Sequence, residues 1–174
     1  SRCEITDINN YMGRSVYQIN LEQLSQDAGA QLLRHYKVKG PLAELRKAAV
    51  EFGGHALALT LLGSYLDAVH NGDIRRRDMI PSIFDEEIQG RHARHVMESY
   101  EDWLKGTSDL NILYLMGLFD RPAQLGAIKA LCASPAIAGL TDQLQNISPA
   151  NWAFAVKRLR ELRLLYASDR FQPD

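Results

Sequence analysis

Apolar positions recur three and four residues apart along most of this chain, the spacing that gives a helix one buried stripe. Ser25 is placed to cap a helix from 26 to about 36. Asp27 suits its positive N-terminal end, and Ala28, Leu32 and Leu33 form the stripe. Gly40-Pro41 opens a second helix, with proline at its first position and Leu42, Leu45, Ala49 and Phe52 at helical spacing, and Gly53 ends it. The third helix, about 55 to 70, is apolar on two sides. Leu57, Leu61 and Tyr65 share one row, and Leu59, Leu62, Leu66 and Val69 share another. Such a helix belongs at the centre of a bundle. Asn71-Gly72-Asp73 stops it, and the three helices predict a compact bundle over 21–72.

Residues 73–91 break the rhythm. Arg75-Arg76-Arg77, Pro81 and Asp85-Glu86-Glu87 change sign with few core positions, which predicts a solvated connection or short helix, not a phosphate site. A helix from about 91 to 105 then carries Val96, Tyr100, Trp103 and Leu104, and closes at Lys105-Gly106. Ser108 can cap the next, through Leu110, Leu113, Tyr114, Leu118 and Phe119, with Arg121-Pro122 as its break. A shorter helix is expected over 123–132, and another turn or two over 138–145. Ser148-Pro149, a capping hydroxyl followed by proline, starts a helix bearing Trp152, Val156, Leu159 and Leu162. Short helices leading into an extended run, Leu164-Leu165-Tyr166, have the order of a winged helix. Residues 92–174 therefore read as a winged-helix-like domain truncated in its wing.

Near the start, Val16, Tyr17 and Ile19 read as a short strand, which needs a sheet that these residues do not supply. The expected fold class is mainly α: a small helical bundle, then a winged-helix-like domain, with short terminal strand segments. Residues 1–20 read as the C-terminal end of an upstream domain, and the whole as a piece of a longer protein.

Composition narrows the function classes modestly. Hydrophobic residues make up 46% and charged residues 24% of 174 positions, as in ordinary globular domains. A formal charge of −1 gives no global attraction to nucleic acid or anionic membrane. Cys3 and Cys132 form no paired motif and suit a reducing compartment, so a cytoplasmic location is expected. No apolar run approaches the roughly 18 residues needed to span a bilayer.

Candidate catalytic chemistry is sparse. His92 and His95 lie one helical turn apart, as a metal pair would, but lack a third ligand and the glutamate of a His-Glu-x-x-His motif. His35 and His70 suit helix C-termini, and Cys132 sits among apolar residues as a core thiol would. No Gly-x-x-x-x-Gly-Lys-Ser/Thr loop is present to cradle phosphates, so these residues are not expected to hydrolyse ATP on their own.

The most informative stretch is 53–66, Gly53-Gly54-His55-Ala56-Leu57-Ala58-Leu59-Thr60-Leu61-Leu62-Gly63-Ser64-Tyr65-Leu66. Two glycines permit a positive-φ turn, and the small apolar first turn leaves backbone N–H groups free for a nucleotide or another anion. Local physics alone favours a buried helix entered through a glycine cap.

This stretch resembles the Gly-x-Pro-Leu-Ala-Leu motif of NB-ARC and related STAND signalling ATPases, whose common bacterial form is Gly-His-Pro-Leu-Ala-Leu. Ala56 stands where that family carries the proline credited with an adenine contact. Further similarities, in order along the chain, are Leu21-x-x-Leu24-Ser25-x-Asp27-Ala28, Leu118-Phe119-Asp120-Arg121-Pro122 and Trp152-x-x-Ala155-Val156-x-x-Leu159-x-x-Leu162. Ser1-Arg2 matches the Ser/Thr-Arg whose arginine senses the terminal phosphate in that family.

The resemblance implies a nucleotide-gated switch segment that controls oligomerisation and is not catalytic in isolation. ADP or ATP would sit between an upstream P-loop domain, which would also supply any Mg²⁺ site, and the bundle and winged helix. Gly54, His55, Ala56 and Leu57 would line the adenine side, and Arg2 would face the phosphates. Signalling roles such as innate immunity fit that family. The resemblance implies self-oligomerisation on activation and no membrane partner. Two other classes remain in view. A winged-helix transcriptional regulator could use Lys157, Arg158, Arg160 and Arg163 on DNA, although Glu161 dilutes that face. A plain helical protein–protein interaction module would need no nucleotide.

Overall fold

The computed structural model describes residues 23–80 and 91–166. Seven α-helices occur among them: α1 (Gln26–His35), α2 (Leu42–Glu51), α3 (Ala56–His70), α4 (Arg91–Leu104), α5 (Ser108–Gly117), α6 (Leu125–Leu131) and α7 (Pro149–Glu161), with a 3₁₀ helix (Ile74–Met79) between α3 and α4. The described residues hold no strand, only an isolated parallel bridge between Lys39 and Asp73. None of these helices is long and apolar enough to cross a membrane.

The caps account for most of the helix boundaries. Ser25 accepts the Ala28 N–H at 3.2 Å and Ser148 accepts that of Asn151 at 3.1 Å, as the sequence predicts. Two starts differ by one residue. Pro41 is not the first helical residue but the cap, with ψ 144 still extended and its carbonyl receiving the Glu44 and Leu45 N–H groups. Thr107, not Ser108, caps α5, because its hydroxyl also donates to the Leu104 carbonyl at 2.6 Å and is held at the end of α4. α5 ends at Gly117, short of Phe119, and α6 is confined to Leu125–Leu131. Residues 138–146 form a series of turns, in keeping with the turn or two expected over 138–145.

α1, α2 and α3 form a bundle with α3 at its centre. Leu33, Leu45, Leu59, Leu62 and Leu66 are fully buried in its core. The 3₁₀ helix plugs one side through Ile74, and α4 packs against α3 through Val96 and Tyr100. The Tyr100 hydroxyl donates to the Leu61 carbonyl at 3.2 Å and its ring meets Tyr65 edge-on. A second core gathers Leu104, Leu110, Ile112, Leu115, Leu144 and Leu159 between α4, α5 and α7.

Two further features depart from the sequence reading. The expected extended run at 164–166 is not a strand: the N–H groups of Leu164 and Leu165 both donate to the Leu159 carbonyl, folding the chain back on the end of α7. Arg77 is not solvated. Its guanidinium is buried and clamped by Glu51 at 2.7 Å, Glu44 at 2.8 Å and the Ile74 carbonyl at 3.2 Å. The strand expected at 16–19 and the acidic run at 85–87 lie outside the described residues.

Candidate functional site

The turn between α2 and α3 is built on two consecutive left-handed glycines, Gly53 at φ 62 and Gly54 at φ 63. Gly53 donates to the Val50 carbonyl and Gly54 to that of Ala49, both at 2.8 Å. This pair of bonds satisfies the open carbonyls at the end of α2. The Gly54 carbonyl in turn accepts the Leu24 N–H at 2.8 Å, so the chain entering α1 is pinned to the same turn. A Cβ on Gly54 would collide with the Leu24 carbonyl, so this position excludes side chains through both its φ and its surroundings.

His55 is the N-cap of α3, not its first helical residue. Its Nδ1 accepts the Ala58 N–H at 3.3 Å and its carbonyl accepts that of Leu59 at 3.0 Å. An accepting Nδ1 requires the neutral ring with its proton on Nε2. The two remaining first-turn donors, on Ala56 and Leu57, have no acceptor among the described residues. Both residues are exposed, and the Leu57 side chain is 54% accessible. The structure thus places His55, Ala56 and Leu57 in succession just after the left-handed glycine turn. They offer two free N–H groups at a helix N-terminus next to one apolar side chain and one imidazole. That combination can receive an acceptor edge and a flat apolar face. It holds no nucleophile and no general base aimed at a substrate. Arg2 lies outside the described residues.

A cleft of about 720 Å³ opens between α5, the 143–147 turn and α7, lined by Asp109, Asn146, Asn151, Phe154 and Arg158. At its wall, Arg158 makes a two-pronged ion pair with the fully buried Asp109, with Nη2 to Oδ1 at 2.7 Å. The carboxylate raises the Arg158 pKa further above its ordinary value. Of the four cations considered for DNA, Arg158 is therefore paired with a buried carboxylate, although its own side chain stays accessible to solvent. Sequence reading did not single out this cleft. The available signal was Phe154, an aromatic lying off the Trp152–Val156–Leu159 stripe and 69% exposed in the structure.

The other candidates separate. His95 Nδ1 lies 2.9 Å from Glu98 on the same helix, and the His92 side chain lies outside the described residues. No group of three metal-ligating side chains occurs among the described residues. Cys132 is half-buried against the second core, and that burial pushes its thiol pKa up, away from a nucleophile's range. His35 and His70 occupy the last turns of α1 and α3.

No family model, curated protein or solved structure matches this chain. The functional reading accordingly rests on the residues and their arrangement.

Proposed function

We propose that the chain is the helical-bundle and winged-helix segment of a STAND-type switch, gated by exchange of ADP for ATP. The observation that carries this reading is the turn at 53–57. A tandem of left-handed glycines, an imidazole cap, and exposed Ala56 and Leu57 with unused N–H groups form a preorganised edge for an adenine. The mainly helical fold and the order of α4 to α7 fit the bundle and winged helix of that architecture.

In this mechanism the base rests against Leu57 and Ala56. A preceding domain of the same polypeptide supplies the phosphate loop that this sequence lacks. ADP holds the two parts closed, ATP favours the open form, and the exposed surfaces assemble. The nucleotide acts only through its unequal affinity for the two states.

Calorimetry tests the division of labour. The 174-residue chain alone should bind ADP only weakly and show no ATP hydrolysis above background. The longer polypeptide, carrying a phosphate loop, should bind ADP tightly. Micromolar binding by the 174 residues alone, or a parent reading frame without a phosphate loop, would remove the proposal.

A further inference from the structure

One face of α7 carries an open groove. Trp152 and Val156 are half-buried against the second core and leave their outer faces open, with the small Ala153 between them. Together with Arg160 and Arg163 they line a groove of about 480 Å³. Arg160 and Arg163 are exposed and have no acidic partner among the described residues. Lys157, on the rim, is 3.9 Å from Glu161, which offsets that carboxylate.

Arg163 carries a second signal. It occupies the left-handed position that ends α7, at φ 62, with its N–H on the Arg160 carbonyl and the Leu164 N–H on that of Leu159. Glycine is the residue that fits this position without strain. An arginine there holds a cation at the mouth of the groove against the local backbone preference.

We propose that this groove docks an acidic peptide segment of a partner protein. An aliphatic side chain of the partner sits between Trp152 and Val156, and its carboxylates pair with Arg160 and Arg163. Three features select this occupant. The floor is apolar and of a size for one or two side chains. The two free guanidinium groups, one on the last turn of α7 and one on the left-handed residue just past its end, line the same groove, and each can grip a carboxylate through two parallel hydrogen bonds. From Trp152 to Arg160 the helix rises about 12 Å, the span of about four residues of extended chain. A nucleic-acid backbone fits less well. Duplex binders commonly neutralise about 6–10 phosphates, and this groove offers two free cations beside a glutamate in a chain of net charge −1.

Fluorescence anisotropy on the full 174-residue chain tests this with a labelled Leu-Asp-Glu-Leu-Asp-Glu peptide. Saturable binding is expected. Arg160→Glu should weaken it at least about tenfold, Trp152→Ala about fivefold, and replacing the peptide's acids by lysine should abolish it. Arg163→Gly is the control for folding: it relieves the backbone, so the melting temperature should hold or rise while binding still falls several-fold. Absence of saturable binding, or binding unchanged in Arg160→Glu or Arg163→Gly, would overturn the proposal. Tighter binding of a labelled 20-base-pair duplex, lost in the same variants, would overturn it in favour of a phosphate backbone.

Discussion

Leu24 and Gly54 are locked together: the Leu24 N–H donates to the Gly54 carbonyl at 2.8 Å, and the Leu24 carbonyl fills the space where a Gly54 side chain would go. The entry to α1 and the hinge between α2 and α3 are therefore one structural unit. Gly54→Ala should cost on the order of 2–3 kcal/mol, because a clash with backbone adds to left-handed strain. Gly53→Ala, which meets the left-handed penalty at φ 62, should cost about 1 kcal/mol. Urea unfolding of both variants checks the ranking, and equal losses would contradict the Leu24 contact.

The three arginines at 75–77 should behave unequally. Arg77 is clamped and buried, whereas Arg75 and Arg76 are exposed. Arg77→Ala should cost about 1–2 kcal/mol, less than a fully buried pair would, since Glu44 and Glu51 keep access to water. Arg75→Ala and Arg76→Ala should stay within about 0.5 kcal/mol of the parent in the same assay.

The Arg158–Asp109 pair predicts an asymmetry. Asp109 has no solvent exposure, while the Arg158 side chain is 57% exposed. Arg158→Ala strands a buried carboxylate and should cost about 2–4 kcal/mol. Asp109→Asn leaves a cation that water can reach and should cost about half as much. Chemical denaturation of the two single variants gives the comparison, and the reverse order would contradict the assigned burial.

Alkaline pH should loosen the bundle. Burial, reinforced by neighbouring Tyr65, pushes the Tyr100 phenol far above its ordinary value of about 10, and burial followed by Asp102 raises that of Tyr65. Between the unfolded and folded values the native state binds more protons, so stability falls as pH rises past about 10. Urea midpoints at pH 8 and pH 11 should show the drop, and Tyr100→Phe should shrink it. A midpoint independent of pH in the parent would contradict the buried phenols.

Legibility in the sequence followed the range of the interaction. Ser25, Ser148-Pro149 and the Gly53 stop act within one turn and were readable from neighbouring residues alone. Adjacent hydroxyls at 107 and 108 could not be ranked, because the choice depends on the Leu104 carbonyl across the Gly106 turn. Arg77 looked like part of a solvated charge run because its partners stand 26 and 33 residues away. Asp109 and Arg158, separated by 49 residues, were equally invisible, and with them the cleft they wall. The candidate nucleotide edge was legible because it is contiguous: Gly54 makes the turn, His55 caps the helix, and the next two residues, Ala56 and Leu57, are exposed.

The central claim is that residues 53–57 form a nucleotide edge, and Ala56→Pro in the full polypeptide tests it most directly. Ala56 is the first residue of α3 and its N–H has no acceptor among the described residues. His55 before it is extended at φ −75 and ψ 112, a conformation that a following proline accepts. The substitution should therefore fold normally and gain about 0.4–1 kcal/mol through the unfolded state. ADP affinity, measured by calorimetry on the folded variant, should tighten about three- to tenfold as a stiff ring packs against the base, and ATP-driven assembly should become slower or less complete. Unchanged ADP affinity in a normally folded Ala56→Pro protein would contradict the account and leave this turn as a helix start alone.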